Sequence, residues 1–378
     1  MTRSRVEGPT VTEPQCCFCR GSRGSVVLDV GNQPACDDFP AGDDPGPDAK
    51  YPLQMWLCAE CGLAQLVDDP TEPEEPRGVE PAAVVQQSID AVNRVADAGW
   101  LRPGKTVAEY GSPHGGSWLG LVTDRGLEVA GDDCKADVVL DSFGVMHYRD
   151  QAAAFRERAN RVADGGVFLV QYHELRAIVR QGEWNMLRLG HYAYYSLSAL
   201  VEMLRRVGFH PRTAWSFDLY GGTVLLAATR DDSPDATIDR LLGEEAELGI
   251  REPAFVGRLQ ESAVTSAGGL KAWLADRKDE GARVFGYGAA SRAISLLAMA
   301  DVDRTEMCGV ADASTAKLGR RMPGTDVPII SPADLVSASP DYVLLLLPDL
   351  LDEVRSDFPE IEARGGEWVS ISTVVAAQ

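Results

Sequence analysis

Apolar positions along this chain recur in a strand-then-helix rhythm. Residues 106–119 (TVAEYGSPHGGSWL) start with a short apolar run at Val107 and Ala108 and turn at Gly111, Gly115 and Gly116. They continue with Trp118, Leu119, Leu121 and Val122 at helical spacing, which predicts a strand, a glycine turn and a helix. Residues 283–300 (RVFGYGAASRAISLLAMA) repeat the pattern, with Gly286, Gly288 and Ala289 at the bend. Between the two, LEVAGDD (127–133) reads as a strand ending in acids, and ADVVLDS (136–142) and VFLVQY (167–172) as further strands. SLSALVEMLRRVGF reads as an amphipathic helix with Leu197, Leu200, Val201 and Leu204 on its apolar side, and WSFDLYGGTVLLAATR as closing strands. This alternation predicts two α/β units with parallel sheets and a functional cleft between them. Residues 71–100 begin acidic and proline-rich and become an amphipathic helix, and RDDSPDATID (230–239) is a second polar linker. The chain is therefore divided into 1–80, 81–231 and 232–378.

Composition narrows the partners. Among 378 residues, 36 Lys plus Arg stand against 57 Asp plus Glu, a formal charge of -21. Such a chain repels nucleic-acid backbones and anionic membrane surfaces, so neither is expected as a partner. No apolar run approaches the ~20 residues of a membrane span and the first residues lack a signal-peptide core, so the expectation is a soluble, cytoplasmic protein. Eight cysteines, partly in C-x-x-C pairs, read as metal ligands in a reducing compartment. Cys16-x-x-Cys19 and Cys58-x-x-Cys61 bracket a turn-rich insert with two strand-like runs. Each pair presents two thiolates to one tetrahedral ion, so together they predict a closed structural zinc ribbon with no catalytic position on the metal. Cys17 is expected to stand aside.

The glycine turn brings peptide N–H groups and a helix start against a ligand. Its E-x-G-x-x-x-G spacing at Glu109, Gly111 and Gly115 resembles the first motif of S-adenosylmethionine (SAM) methyltransferases. The front of the chain adds a more specific likeness: the C-x-x-C, LDVGNQP at residues 28–34, YPL at 51–53 and C-x-x-CGLAQL at 58–66. These resemble the zinc-binding region of the sugar C-methyltransferases, and the likeness extends to about residue 371, through KLGRRMPGTDVPIISP at 317–332. The resemblance implies an N-terminal zinc ribbon, a class I methyltransferase-like Rossmann domain and a second Rossmann-like α/β domain. It implies methyl transfer from SAM to a carbon beside a ketone of a nucleotide-linked sugar, in natural-product or antibiotic biosynthesis. The substrate would be a small molecule, and a protein partner from the same pathway is a further expectation.

Carried onto this chain, the resemblance gives His191, Tyr194 and Tyr220 as catalytic candidates, and Glu109, Gly111, Gly115, Asp133 and His147 as SAM contacts. Asp132 is an alternative to Asp133, and His114 lies in the cofactor turn. Arg188, Gly288 and Arg292 would face the substrate. His173 and His210 are read as structural or surface groups. The chain also departs from the family. In WNMLRLGHYAYYS (184–196) Asn185, Arg188 and Gly190 stand where aspartate, tyrosine and glutamate are expected, and Tyr220 replaces a histidine. The linker lacks the family's tyrosines. About thirty residues of a βαβ unit are missing after Asp133, removing a sheet edge and one wall of the adenine pocket. These losses keep open a second function class: a SAM-independent homologue catalysing proton transfer, elimination or cyclisation, or a non-catalytic partner subunit.

Overall fold

The structure, a computed structural model, describes residues 14–71, 82–113, 115–231, 233–348 and 351–376. His114 and most of the acidic linker lie outside the described residues. In the front module, β1 (Gly24–Pro34) pairs antiparallel with β2 (Lys50–Cys58), and β2 with β3 (Ala64–Leu66). This small sheet has no core of its own. Leu28, Leu53, Met55 and Leu57 pack with Leu259, Ile294 and Leu297 of the C-terminal unit, while Phe18 and Trp56 pack with Phe155 and Leu200 of the central unit. Asp48 adds a polar clamp, accepting from Arg321 Nη1 at 2.7 Å and Nη2 at 2.5 Å and from Gly324 N at 2.6 Å.

The central sheet contains β4 (Thr106–Tyr110), β5 (Glu128–Val129), β6 (Ala136–Ser142), β7 (Val162–His173), β9 (His210–Phe217) and β10 (Thr223–Thr229), with β8 (Ala193–Tyr194) lying outside it. Its order is β5-β4-β6-β7-β10-β9, parallel through β7 and antiparallel across β10. Val107, Val138, Leu140, Leu169 and Leu225 face the helix Ala82–Asp97. Val139, Phe168, Val170 and Leu226 face the helices Gln151–Arg161 and Leu197–Arg206. Covering both faces explains the near-continuous apolar runs of β6, β7 and β10. The shortening expected from the sequence is present: residues 130–135 alone join β5 to β6, and β5 is an exposed two-residue edge.

In the C-terminal unit five parallel strands, β11 (Val284–Tyr287), β12 (Val310–Ala311), β13 (Ile329–Ile330), β14 (Tyr342–Leu345) and β15 (Glu367–Ser370), take the order β13-β12-β11-β14-β15. The helix Ala236–Leu248, which follows the linker, packs Ile238 and Leu241 into the central core. Its buried Glu245 accepts from the N–H groups of Leu197 and Ser198, both at 2.7 Å.

Strand β8 revises the reading of residues 184–196. Its Tyr194 pairs with Ala64 and its Ala193 with Gln65, so the segment expected to carry the chemistry completes the sheet of the front module.

Candidate functional site

The four cysteines form the first element of the site. Among the described residues they are the one group of His, Cys, Asp or Glu side chains placed to hold a metal, with all ligand atoms within 4.8 Å of one another. Cys16 and Cys61 Sγ lie 3.6 Å apart, and Cys19 and Cys58 Sγ 3.5 Å. A tetrahedral zinc with Zn–S bonds of about 2.3 Å needs sulfur edges of about 3.8 Å, so the donor set fits the ion. Hydrogen bonds from neighbouring thiols favour the Cys58 thiolate, whereas Cys16, bonded to Cys58, is pushed up to about 12. Cys17 does stand aside: burial pushes its thiol up, and its N–H donates to Gln65 Oε1 at 2.8 Å.

At the end of β4 the glycine turn is shaped from within. Glu109 accepts from Trp118 N and Ser117 Oγ, each at 2.6 Å, so its carboxylate closes the loop. Gly115 and Gly116 adopt φ of +99° and +80°, conformations that favour glycine. Among the described residues, a methyl group at Gly111 or Gly115 would meet no atom within 4 Å, which leaves room over the turn. Gly144, opening the turn after β6, is different: a Cβ there would stand 2.9 Å from Gly111 O and 3.1 Å from Tyr110 O. Asp133 lies on the exposed connection after β5 with φ of +60°.

Beneath the two turns sits an ion pair that the sequence did not announce. Asp141 and Arg158 side chains are both 0% exposed and 2.5 Å apart. The other carboxylate oxygen accepts from Gly144 N at 2.8 Å and Val145 N at 2.9 Å. The guanidinium is held between the rings of Tyr110 and Tyr148, at 4.2 and 4.5 Å. Burial pushes the Asp141 carboxyl up, with Arg158 and the two N–H groups opposing it.

Two histidines meet above this pair, their rings 4.5 Å apart edge to face. His147 Nδ1 lies 3.0 Å from Gly190 O and, facing a carbonyl, must carry the proton there. His191 Nε2 lies 2.9 Å from Arg188 Nε–H and must accept, which places the His191 proton on Nδ1. Arg188 also donates through Nη1 to Ser291 Oγ of the C-terminal unit at 2.7 Å. Tyr194 is a correction to the catalytic set: its buried hydroxyl accepts from Arg188 N at 3.0 Å and burial pushes the phenol up, so it is a fixed support. Tyr220, half-buried with φ of +51°, packs against His173 at 5.5 Å and beneath Arg292 at 5.9 Å.

His173 is the group that sequence reasoning passed over. At the end of β7 it is 8% exposed, stacks on Phe143 at 4.5 Å, and its Nδ1 has no partner among the described residues. Burial, with Arg188, Arg292 and His147 nearby, pushes it down to about 3. On the same face of the strand, Gln171 donates to Gln87 Oε1 at 3.0 Å while Gln171 Oε1 and Gln87 Nε2 stay buried without partners among the described residues. Only the position of these groups at a strand end hinted at a site.

The C-terminal glycine turn does not offer a phosphate cradle. Gly288 N donates to Ala311 O at 2.8 Å, Ala289 N to Asp312 Oδ2 at 2.7 Å and Ala290 N to Gly288 O at 2.8 Å. Leu347 lies 3.0 Å from where a Gly288 Cβ would be, so the turn is closely packed on that side. Arg292 instead lines an open cleft of about 1190 Å3 together with Asn185, Trp184, Glu247, Arg258 and Leu346. Asn185 Nδ2 reaches across to Arg292 O at 3.1 Å.

Comparison with known proteins gives matches along nearly the whole chain. A model described as a zinc binding domain matches residues 16–75, one described as a methyltransferase domain matches 78–214, and one described as a C-methyltransferase C-terminal domain matches 218–371. The chain is 22% identical to the C-methyltransferase NovU of Streptomyces niveus, with 94% of each chain covered. Among solved structures, magnesium protoporphyrin IX methyltransferase of Synechocystis PCC 6803 is 11% identical at a TM-score of 0.31, covering 41% of this chain and 90% of that one. The 1,6-didemethyltoxoflavin-N1-methyltransferase of Burkholderia thailandensis is 15% identical at 0.27, covering 46% and 96%.

Proposed function

The chain belongs to the C-methyltransferases built from a zinc binding domain, a methyltransferase domain and a C-methyltransferase C-terminal domain, and on that premise we propose that it methylates a small molecule at a carbon made acidic by a neighbouring ketone. SAM supplies an electrophilic methyl group. The room over the turn at Gly111 and Gly115 fits its amino-acid end, and Asp132 and Asp133 are the acids available to its ribose hydroxyls. Cys16, Cys19, Cys58 and Cys61 would hold zinc as a structural ion, its four positions filled by sulfur.

The observation that carries the reading is the histidine pair of defined tautomer. With its proton on Nδ1, His147 has its basic nitrogen at Nε2, a buried atom of a ring that meets His191 edge to face, and on this reading it is the base for the acceptor carbon. His191, first in line by resemblance, has its Nε2 engaged by Arg188; it orients that guanidinium, whose charge favours an enolate oxygen. Tyr220 and Arg292 form the facing wall. Four thiolates that must stay reduced support a cytoplasmic setting, and among the described residues no helix is long and apolar enough to cross a membrane. A nucleotide-linked sugar acceptor, a place in antibiotic biosynthesis and a pathway partner rest on the resemblance.

One observation favours the SAM-independent reading: among the described residues no strand pairs with the outer edge of the two-residue β5, where the family's missing unit would form a wall of the adenine pocket. Calorimetric titration with SAM separates the two readings. Saturable binding abolished by Gly111→Arg, which fills that room without a forbidden backbone angle, supports methyl transfer. Silence at millimolar SAM supports the alternative.

A further inference from the structure

We propose that Arg188 binds a carboxylate of the acceptor, which makes the methylated small molecule a 2-oxo acid whose carboxylate and ketone oxygens share one guanidinium. The inference rests on the methyl-transfer reading above and names its substrate class. Arg188 is half-buried, and its partners are neutral: Nε donates to His191 Nε2 at 2.9 Å and Nη1 to Ser291 Oγ at 2.7 Å. Three of its five N–H groups are left without a partner among the described residues, and no carboxylate among them pairs with it. A guanidinium drawn this far out of water is ordinarily matched by an acid.

The surroundings carry the same sign. Arg292 follows Ser291 in the chain and lies 5.9 Å from the Tyr220 ring, which packs on His173 at 5.5 Å. Arg188, Arg292 and His147 each push the His173 imidazole down, and no carboxylate offsets them. Acids of the adjoining elements are committed elsewhere. Asp69, 1% exposed, accepts from Gly190 N and Thr71 Oγ1, both at 2.6 Å, Asp141 meets Arg158 at 2.5 Å, and Glu174 meets Arg176 at 3.0 Å. Glu183 stands against Gly221, on the side of the cleft. Phe143 and Tyr220 face His173, so charge acts here across aromatic rings and is felt more strongly than in bulk water. Strands β4, β6 and β7 run parallel and side by side, which puts the end of β7 about 10 Å from the glycine turn after β4, within the length of one SAM molecule.

A carboxylate and the ketone beside it present two oxygens to the planar fork of one guanidinium. In the reaction the carbon on the far side of the ketone gives its proton to the histidine, its electron pair bonds the methyl carbon, and the S–CH3 bond breaks. The carboxylate is carried through unchanged. A nucleotide-linked sugar holds its charge on a diphosphate several bonds from the ketone and leaves Arg188 without a counter-ion.

Zinc-loaded, full-length protein is titrated with two probes, 2-oxobutanoate and its neutral counterpart 2-oxobutanamide. Binding is followed on the histidine ring signals by 1H–13C correlation, with His173 assigned through His173→Gln. 2-Oxobutanoate should shift the His173 signal saturably, and 2-oxobutanamide should bind about tenfold or more weakly, the loss of a charge-assisted pair. Arg188→Met should weaken 2-oxobutanoate by a similar factor, and Arg188→Lys, which keeps the charge without the fork, should fall between native protein and Arg188→Met. Calorimetry with SAM on the same samples tells the two readings apart: 2-oxobutanoate held by a protein that ignores SAM removes the methyl transfer proposed above and leaves the anion site standing. Failure of 2-oxobutanoate to bind overturns the anion site whatever SAM does. Equal affinity for the two probes, or native affinity in Arg188→Met, overturns it as well. If Arg188→Met does not fold, the preference of native protein between the two probes and its weakening in Arg188→Lys decide.

Discussion

Replacing Arg158 by methionine isolates the buried ion pair beneath the cofactor turn. Methionine keeps an unbranched stem between Tyr110 and Tyr148 but removes the guanidinium, leaving the Asp141 carboxylate, 0% exposed, with two backbone N–H groups as its partners. Breaking a fully buried pair from one side costs about 3–5 kcal/mol, mostly the desolvation of the abandoned charge. The pH dependence follows in sign. Burial already raises the Asp141 pKa, and removing Arg158 raises it further, so the folded variant holds a proton that the unfolded chain releases. The stability tied to that proton is full at low pH and lost as pH rises through the folded value. The deficit of Arg158→Met relative to native protein should therefore be larger at pH 8 than at pH 5. Urea unfolding followed by tryptophan fluorescence at the two pH values measures it. The double variant Asp141→Asn with Arg158→Met, which removes both charges, should lose clearly less than Arg158→Met alone. A loss under about 1 kcal/mol, or a deficit equal at both pH values, refutes the account of this pair as a desolvated charge couple.

Chelating zinc, or Cys58→Ser, should lower the melting temperature and raise amide exchange in Ala193 and Tyr194, because β8 completes the sheet that the metal anchors; protection unchanged there would contradict this coupling. Gly144→Ala should push the turn at Tyr110 and Gly111, weakening SAM binding about tenfold or more in calorimetry, at an overpacking cost of about 1–3 kcal/mol. His173, at about 3 in the folded state against an ordinary 6.5, is protonated first in the unfolded chain. Its neutral form supports the fold fully above pH 6.5 and loses that contribution as pH falls, by about 2 kcal/mol at pH 5. His173→Gln should flatten urea stability between pH 7 and 5, and identical slopes would show that His173 titrates normally.

What the sequence made legible was local or a matter of length. Two C-x-x-C pairs specify a tetrahedral donor set by themselves, and a gap after Asp133 too short for a helix and a strand announces a lost sheet edge. The site's polarity was not legible because it depends on distant partners. Glu109 reads as a ligand contact, and its bonds to Ser117 and Trp118 within the loop are invisible in the sequence; Gly288 reads as facing the substrate, and the partners of its turn, Ala311 and Asp312, lie on another strand. His173 resembles a surface residue in a polar QYHEL run, yet tertiary packing buries it against Phe143. Asp69 and Gly190 are far apart in sequence, and no local pattern links them.

The pairing of β3 with β8 bears on the order in which this chain matures on the ribosome. All four cysteines leave the exit tunnel long before Ala193 and Tyr194 are synthesised, so the nascent module can capture its metal while β3 is still an unpaired margin. Closing that margin is a long-range event that waits on most of the central unit. Until then β3 is an edge that another chain could pair with, and a module left without its metal would hold that edge less firmly in place for β8.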